Sequence, residues 1–265
     1  MNYDKLPEAL EVALSAVQDA GDMLRPHFGN VEPLVKSNSG LETRDIVTKL
    51  DRETESFLSQ RLRAFDASIG FRGEEHGVEH EQPLTWLVDP IDGTAHFVRG
   101  VPFSTVMVSL VHEGEVLLAV IHNIATNDMF WATKNGGSFK NGEPIRVSNR
   151  SLQKAFISFE SDLTKAENAK LQAQLLQQGA TLVSTVNCGY EFSMIASGVW
   201  EAKITREPYG FDWDYAPGSL LVSEAGGIVR NHGVDTFDFR NHELYIGNPA
   251  TYDALHDTAI IEAKN

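Results

Sequence analysis

The spacing of apolar residues in the first 66 residues predicts two amphipathic helices. Residues 6–28 place leucine, valine and phenylalanine at helical intervals opposite acidic side chains, and Gly29 follows this pattern directly. A second helix is predicted from about 49 to 66, with Leu50, Phe57 and Leu62 along one side. Residues 30–46 lie between them and contain Pro33, Gly40 and many polar residues, so they are predicted to form a loop or an irregular ribbon.

The pattern changes to β-strands from residue 84 onward. A strand is predicted over 84–88, and two more over 104–112 and 115–123 flank a hairpin signal, Glu113-Gly114. A further strand over 128–134 is followed by glycine-rich turns. These strands predict an antiparallel meander that packs on the two helices.

After about residue 150, predicted strands alternate with predicted helices, which is typical of an α/β layer. We therefore divide the chain into an α+β half, residues 1–150, and an α/β half, residues 151–265. The strands are predicted at 155–160, 180–186, 201–205, 227–230 and 243–247, and the helices at 166–178, 190–198, 214–225 and 250–263.

The chain has 265 residues and a formal net charge of −15, which disfavours non-specific binding to nucleic acid or to anionic lipid. The same charge would repel phosphorylated metabolites unless bound cations reverse its sign locally. The single cysteine, Cys188, excludes an intrachain disulfide, which suits a reducing compartment. No signal-peptide pattern or long apolar run is present, so we expect a soluble, cytoplasmic protein.

Two closely spaced aspartates stand out in the stretch "WLVDPIDGT", residues 86–94. Asp89, Pro90 and Gly93 are turn formers, so a simple turn explains these residues about as well as any chemistry does. However, Asp89 follows an apolar strand, where an uncompensated charge is costly. Gly93 and Thr94 can also open a short helix whose free amides favour an anion. Two acids beside an anion-binding helix start need a cation between them, and their oxygen atoms suit Mg²⁺.

Other acidic residues have equally ordinary explanations when each is taken alone. Glu74 and Glu75 follow Gly73 at the end of a predicted strand, and such a pair is often plain surface charge. Asp214 begins an apolar helix and could cap it, as Asp212 could equally well. Asp51 follows Thr48 by three residues, in a pattern close to a capping box.

Taken together, these strings form a pattern. In the order "TKLD", "GEE", "WLVDPIDGT" and "WDYAPG…EAGG", the chain resembles the inositol monophosphatase family, part of a superfamily of Mg²⁺-dependent, lithium-sensitive sugar phosphatases. The resemblance covers nearly the whole chain. It implies a layered αβαβα sandwich of the inositol monophosphatase/fructose-1,6-bisphosphatase type.

The resemblance also implies a set of metal ligands for two or three Mg²⁺ ions. The first metal would be held by Glu74, Asp89 and the carbonyl group of Ile91, the second by Asp89, Asp92 and Asp214, and a third, weaker metal would lie near Glu74 in the catalytic site. Asp51 and Thr94 match the catalytic pair that orients and deprotonates the attacking water.

On the substrate side, the resemblance implies binding residues that overlap with these ligands: Asp92, Gly93, Thr94, Glu207 and Asp214. Glu207 matches a glutamate that binds a ring hydroxyl in inositol-specific members, although an ordinary surface acid explains it equally well. Two departures from the family pattern leave the substrate open. His96 replaces an asparagine, and Asn187-Cys188-Gly189 replaces a Gly-Ser/Thr-Ala stretch.

We therefore expect a Mg²⁺-dependent phosphomonoesterase that acts on a small phosphorylated polyol or sugar, such as an inositol monophosphate. Histidinol phosphate, fructose bisphosphate and adenosine 3′,5′-bisphosphate remain alternative substrates. An aspartyl-phosphate enzyme is disfavoured because its Asp-x-Asp spacing is one residue shorter than the one here. A non-catalytic regulatory binding protein is the alternative of another class. The family also implies a homodimer.

Overall fold

A computed structural model describes residues 5–32, 34–35, 46–80, 82–206, 210–234 and 236–257. Within these residues, helices and sheets alternate in five layers, which confirms the predicted αβαβα sandwich. The helices are α1 (Leu6–Leu24), α2 (Lys49–Phe65), α3 (Thr94–Arg99), α4 (Ala166–Gln177), α5 (Cys188–Ala196), α6 (Asp212–Glu224) and α7 (Pro249–Asp257).

The strands form one sheet of eight, one of five and a short pair among the described residues. They are β1 (Leu34–Val35), β2 (Ile46–Val47), β3 (Gly70–Gly73), β4 (Gly77–His80), β5 (Leu84–Asp92), β6 (Thr105–His112), β7 (Glu115–Asn123), β8 (Met129–Thr133), β9 (Gly137–Lys140), β10 (Glu143–Pro144), β11 (Phe156–Ser161), β12 (Thr181–Val183), β13 (Ala202–Arg206), β14 (Ile228–Asn231) and β15 (Leu244–Gly247).

The larger sheet has the order β10-β9-β8-β7-β6-β5-β3-β4. From β5 to β8 it is the predicted antiparallel meander. Strands β9 and β10 extend the meander where glycine-rich turns were predicted, and β3 runs parallel to β5. Helices α1 and α2 cover one face, as predicted. The buried stripe of α1 consists mainly of Ala9, Ala13, Ala16 and Ala20 and ends at the buried Leu24, while Leu6, Leu10 and Leu14 flank it half-buried. Small side chains let the helix approach the sheet closely, so these three leucines pack at its margins.

The smaller sheet has the order β12-β11-β13-β15-β14. Strands β11, β12 and β13 are parallel, and β15 is antiparallel to both of its neighbours. Helices α5 and α6 lie between the two sheets, and α4 and α7 cover the outer face of the smaller one. The first turn of α6 therefore lies in the middle layer of the molecule.

Several predicted boundaries differ from the structure. Helix α1 ends at Leu24 and continues as a 3₁₀ turn over residues 25–27, because Pro26 cannot continue an α-helix. The strand predicted over 84–88 continues to Asp92, and the helix predicted over 190–198 begins already at Cys188. Most of the predicted loop at 30–46, and the end of the helix predicted at 250–263, lie outside the described residues. In the part of the chain that is described, no helix combines the length and apolar character needed to span a membrane.

A half-buried histidine at the edge of the smaller sheet predicts a pH-dependent stability. Burial lowers the pKa of His232 to about 4, assisted by the positive charge of Arg206, and the His232 Nε2 atom donates to the Thr205 carbonyl oxygen over 3.1 Å. Because the folded pKa lies below the unfolded value of about 6.5, this contribution to stability is present above pH 6.5 and is lost as the pH falls toward 4. As the pH falls from 6.5 to 4, the free energy of unfolding should therefore decrease by about 3 kcal/mol less in His232→Gln than in the wild type.

Urea denaturation at pH 7.0 and 4.5 measures this difference. The exposed His27 offers a matched control, since His27→Gln should follow the wild-type pH profile. Parallel profiles for His232→Gln and the wild type would show that His232 is not buried as a neutral ring.

Candidate active site

A bulge in strand β5 brings the two aspartates of "DPID" to the same side of the sheet. Asp89 pairs with Met107 and Asp92 pairs with Thr105, so a step of three residues on β5 faces a step of two on β6. On a regular strand, residues three apart point to opposite faces, and one extra residue removes this opposition. Pro90 lies within the bulge, where its missing N–H costs no ladder hydrogen bond.

The third carboxylate comes from the middle helical layer. Asp214, in the first turn of α6, places a carboxylate oxygen within 4.8 Å of oxygens from Asp89 and Asp92. Asp89 and Asp92 are buried, and Asp214 is partly exposed. The N-cap of α6 is Phe211 rather than Asp214, but Asp214 Oδ2 accepts a hydrogen bond from the Phe211 amide over 2.6 Å, so Asp214 does help to cap the helix. Asp212 instead pairs with Arg72 and His242.

The electrostatics of this acidic triad (Asp89, Asp92 and Asp214) favour a bound cation. Burial raises the pKa of Asp92 to about 7, opposed by hydrogen bonds from the Gly189 amide and the Thr105 hydroxyl and assisted by the charge of Glu74. Burial and the charges of Asp92 and Glu74 raise the pKa of Asp214 well above its ordinary value. Mg²⁺ prefers oxygen ligands, and a divalent cation would relieve this repulsion. The donor set therefore fits the predicted metal.

The remaining predicted metal ligands are adjacent to the acidic triad. Glu74 follows β3, where Gly73 pairs with Val88, and the Glu74 amide donates to the Val88 carbonyl oxygen over 3.2 Å. The parallel pairing of β3 and β5 thus places Glu74 beside Asp89. The Ile91 amide donates to Asp89 Oδ1 over 3.0 Å, and the Ile91 carbonyl accepts from Thr94 Oγ1 over 3.0 Å.

Asp51 and Thr94 form a buried pair, although 43 residues separate them along the chain. Asp51 Oδ2 accepts from the amide and hydroxyl of Thr48, each over 2.7 Å, so the predicted capping box is present. Its other oxygen, Oδ1, accepts from Thr94 Oγ1 over 2.9 Å. Burial raises the pKa of Asp51 to about 6 despite these hydrogen bonds. Asp51 therefore caps α2 and also reaches the residue that follows "DPIDG".

Gly93 lies at the start of α3, next to the point where residues 187–189 contact Asp92. It has a φ of +77°, which glycine adopts without steric cost, and it lies at the N-cap of α3. Opposite, the Asn187 side chain donates from Nδ2 to the Asp92 carbonyl oxygen over 2.8 Å, and the Gly189 amide donates to Asp92 Oδ2 over 2.6 Å. The departure at 187–189 therefore supports Asp92 directly.

The sequence also singled out Cys188, His96 and Glu207. Cys188 is buried. The rings of His96 and Phe103 lie 5.7 Å apart, centroid to centroid. Glu207 lies outside the described residues, so its predicted contact with substrate stays a prediction.

Sequence reasoning missed Glu55. This glutamate is fully buried on α2, one turn after Asp51, and it accepts hydrogen bonds from the Glu75 and His76 amides, each over 2.8 Å. It thereby anchors the turn that carries Glu74. The signal was its spacing of four residues from Asp51, which places both acids on one face of the helix.

Comparisons with known proteins agree with this geometry. The sequence model of the Inositol monophosphatase family matches residues 5–264. A Thermotoga maritima protein named fructose-1,6-bisphosphatase/inositol-1-monophosphatase is 30% identical over 230 residues, which cover 84% of each chain. The inositol-1-monophosphatase of Rhizobium meliloti is 32% identical over 226 residues, covering 82% of this chain and 83% of that protein. The crystal structure of the extragenic suppressor protein suhB from Bartonella henselae superposes with a TM-score of 0.84 at 25% identity, covering 95% of this chain and 97% of that one.

Proposed function

This chain belongs to the inositol monophosphatase family, and from that premise we propose that it hydrolyses the phosphate monoester of a small polyol or sugar, of the inositol monophosphate type, with the help of Mg²⁺. That it is a phosphatase follows from the family and from the relatives that match it. One observation supports the finer proposal best: the three carboxylates of the acidic triad converge within 4.8 Å.

The proposed metal ligands are the acidic triad, Glu74 and the carbonyl group of Ile91. A phosphate monoester carries two negative charges, which a protein of net charge −15 would repel without cations. Bound Mg²⁺ supplies the neutralising charge and lowers the pKa of a water molecule. As part of the same proposal, millimolar lithium inhibits the enzyme.

Asp51 and Thr94 are the proposed acid–base pair. Thr94 Oγ1 orients the attacking water, accepts a proton from it and gives its own hydroxyl proton to Asp51 Oδ1, which lies 2.9 Å away. With a pKa of about 6, Asp51 is ionised at neutral pH and is still basic enough to accept that proton. The amides of Gly93 and Thr94 at the start of α3 are the proposed donors to the phosphate oxygens. Glu207 is the proposed contact for a substrate hydroxyl.

Phosphate release from a panel of substrates tests this function. The panel contains inositol 1-phosphate, histidinol phosphate, fructose 1,6-bisphosphate and adenosine 3′,5′-bisphosphate, each measured with Mg²⁺ and ranked by kcat/KM. We expect the highest value for inositol 1-phosphate, because the relatives matched include inositol-1-monophosphatases. A higher value for a bisphosphate would replace the polyol proposal while leaving the hydrolysis proposal in place.

The absence of phosphate release from every substrate would contradict the proposal and favour a non-catalytic binding protein. The Asp92→Asn variant is the control, since any release that it shares with the wild type comes from a contaminating phosphatase.

The proposed partner is a small phosphorylated metabolite. A cytoplasmic homodimer that binds neither nucleic acid nor membranes stays a prediction. Size-exclusion chromatography with light scattering would measure the oligomeric state directly.

A further inference from the structure

The turn between β12 and α5, residues Thr185-Val186-Asn187, contains a strained backbone. Val186 has a φ of +52°, in the left-handed region that β-branched residues rarely adopt. Val186 is also 39% exposed, so burial of its own side chain does not explain this conformation. Such strain persists only where the surrounding structure holds it in place.

Glu191, one turn into α5, holds this turn from inside the protein. Its Oε1 atom accepts hydrogen bonds from the Thr185 amide over 3.0 Å and from the Thr185 hydroxyl over 2.7 Å. Its Oε2 atom accepts from Lys203 Nζ over 2.5 Å. Glu191 and Lys203 are both completely buried, so each charge depends on the other for compensation.

Lys203 lies on the inner face of β13 between two carboxylates. Its Nζ atom also donates to Glu160 Oε2 over 2.8 Å. Burial alone would lower the pKa of Lys203, but the charges of Glu160 and Glu191 outweigh burial and hold this pKa well above its ordinary value. Lys203 therefore stays charged and fixes the position of the Glu191 carboxylate relative to the smaller sheet.

The other side of the turn reaches the acidic triad. Asn187 caps α5 by accepting from the Tyr190 amide over 2.8 Å, and its Nδ2 atom donates to the Asp92 carbonyl oxygen. The Gly189 amide donates to Asp92 Oδ2 over 2.6 Å. A Cβ atom on Gly189 would lie 2.2 Å from Thr105 Oγ1, so α5 and β6 are already in close contact here. A small shift of the turn would therefore move the donors that orient Asp92.

We infer that Glu191 and Lys203 are positioning residues for the metal site: the buried ion pair holds the strained turn, and the turn presents the start of α5 to Asp92. This inference rests on the proposed function, because it assigns Asp92 as a metal ligand. It does not place Glu191 or Lys203 on the metal or on the substrate.

Manganese binding, measured by the electron paramagnetic resonance signal of free Mn²⁺, tests the inference without relying on turnover. Glu191→Gln keeps the size of the side chain but leaves only one acceptor oxygen. That oxygen cannot replace both Oε1, which accepts from Thr185, and Oε2, which accepts from Lys203. Residues that orient metal ligands typically change affinity by 10- to 100-fold, so we expect Mn²⁺ to bind about 10-fold more weakly. Half-saturation of activity by Mg²⁺ should rise by a similar factor.

Glu201→Gln is the matched control. Glu201 is also completely buried, immediately before β13 and two residues before Lys203, and it accepts from Arg150 Nε and the Phe156 amide, each over 2.6 Å. It has no path to Asp92 through these contacts, so its loss should lower thermal stability and leave Mn²⁺ affinity within about twofold of wild type.

A second substitution tests the role of strain. Glycine adopts a positive φ freely, so Val186→Gly should let the turn persist without the ion pair. The double variant Glu191→Gln/Val186→Gly should recover Mn²⁺ affinity to within about threefold of wild type. A double variant that binds as weakly as Glu191→Gln would overturn the proposed link through the turn.

Should Glu191→Gln fail to fold, Thr185→Val offers a milder version that keeps the ion pair and removes one donor, with an expected loss of about threefold in Mn²⁺ affinity. Wild-type affinity in whichever of these variants folds would contradict the inference while the proposed function stands. A wild-type protein that binds no Mn²⁺ would instead contradict the proposed function.

Discussion

Asp92→Asn should lower kcat by at least about 1,000-fold, because it removes a carboxylate proposed to hold the cations that stabilise the transition state. The same substitution should stabilise the protein in chelator at pH 8. Burial raises the pKa of Asp92 to about 7, so its ionised form is unfavourable in the folded state when no cation is present. We expect Tm to rise by at least about 3 °C, as calorimetry in EDTA can measure.

The opposite signs of the two effects separate a functional role from a structural one. Asp212→Asn is the control, since Asp212 lies two residues from Asp214 but pairs with Arg72 and His242. This control should keep its activity within about threefold of wild type and should not gain stability, because it loses an ion pair. An active Asp92→Asn variant would exclude Asp92 from the proposed metal site.

Removal of divalent cations should silence the wild-type protein. After treatment with EDTA and exchange into metal-free buffer, we expect less than about 1% of the original phosphate release, with recovery on addition of Mg²⁺. Mg²⁺ at 100 times its Kd should also raise Tm by about 5–10 °C, since only the folded state brings the acidic triad together.

The control for metal removal compares the rise in Tm on addition of Mg²⁺ between the wild type and Asp92→Asn. Asp92→Asn should show a much smaller rise in Tm with Mg²⁺, because one carboxylate of the acidic triad is gone. Full activity in protein shown by elemental analysis to contain no divalent metal would contradict the proposed mechanism.

Much of the site could be predicted because its residues lie in short, specific sequence motifs. Yet Asp51 and Asp214 also help to cap helices, the ordinary explanation that the sequence allowed for each of them. Asp51 caps α2 through one oxygen and receives Thr94 through the other. A carboxylate has two oxygens and about four acceptor positions, so a local hydrogen bond does not exclude a distant partner. Helix capping and a role in the site are therefore compatible at these two aspartates.

The rest depended on packing that no local pattern shows. Glu191 and Lys203 lie on a helix and on a strand, and they meet only because α5 packs on the inner face of the smaller sheet. Likewise, the bulge at Pro90 is defined by its partner strand β6, so the sequence suggested a turn where β5 in fact continues. In α1 the pattern identified the helix, but Leu6, Leu10 and Leu14 flank a buried stripe of alanines because the distance to the sheet decides which side chains fit.

The position of Asp214 in the middle layer also sets an order of events during synthesis. A ribosome that has released only the larger sheet has delivered Asp89 and Asp92, but α6, which carries Asp214, begins more than a hundred residues after Asp92. Until then the ligand set proposed for the second metal is incomplete, although Glu74, Asp89 and Ile91, the residues proposed for the first metal, have already been synthesised. Completion of the two-metal site is thus a late step of maturation, and it requires most of the polypeptide to have left the exit tunnel.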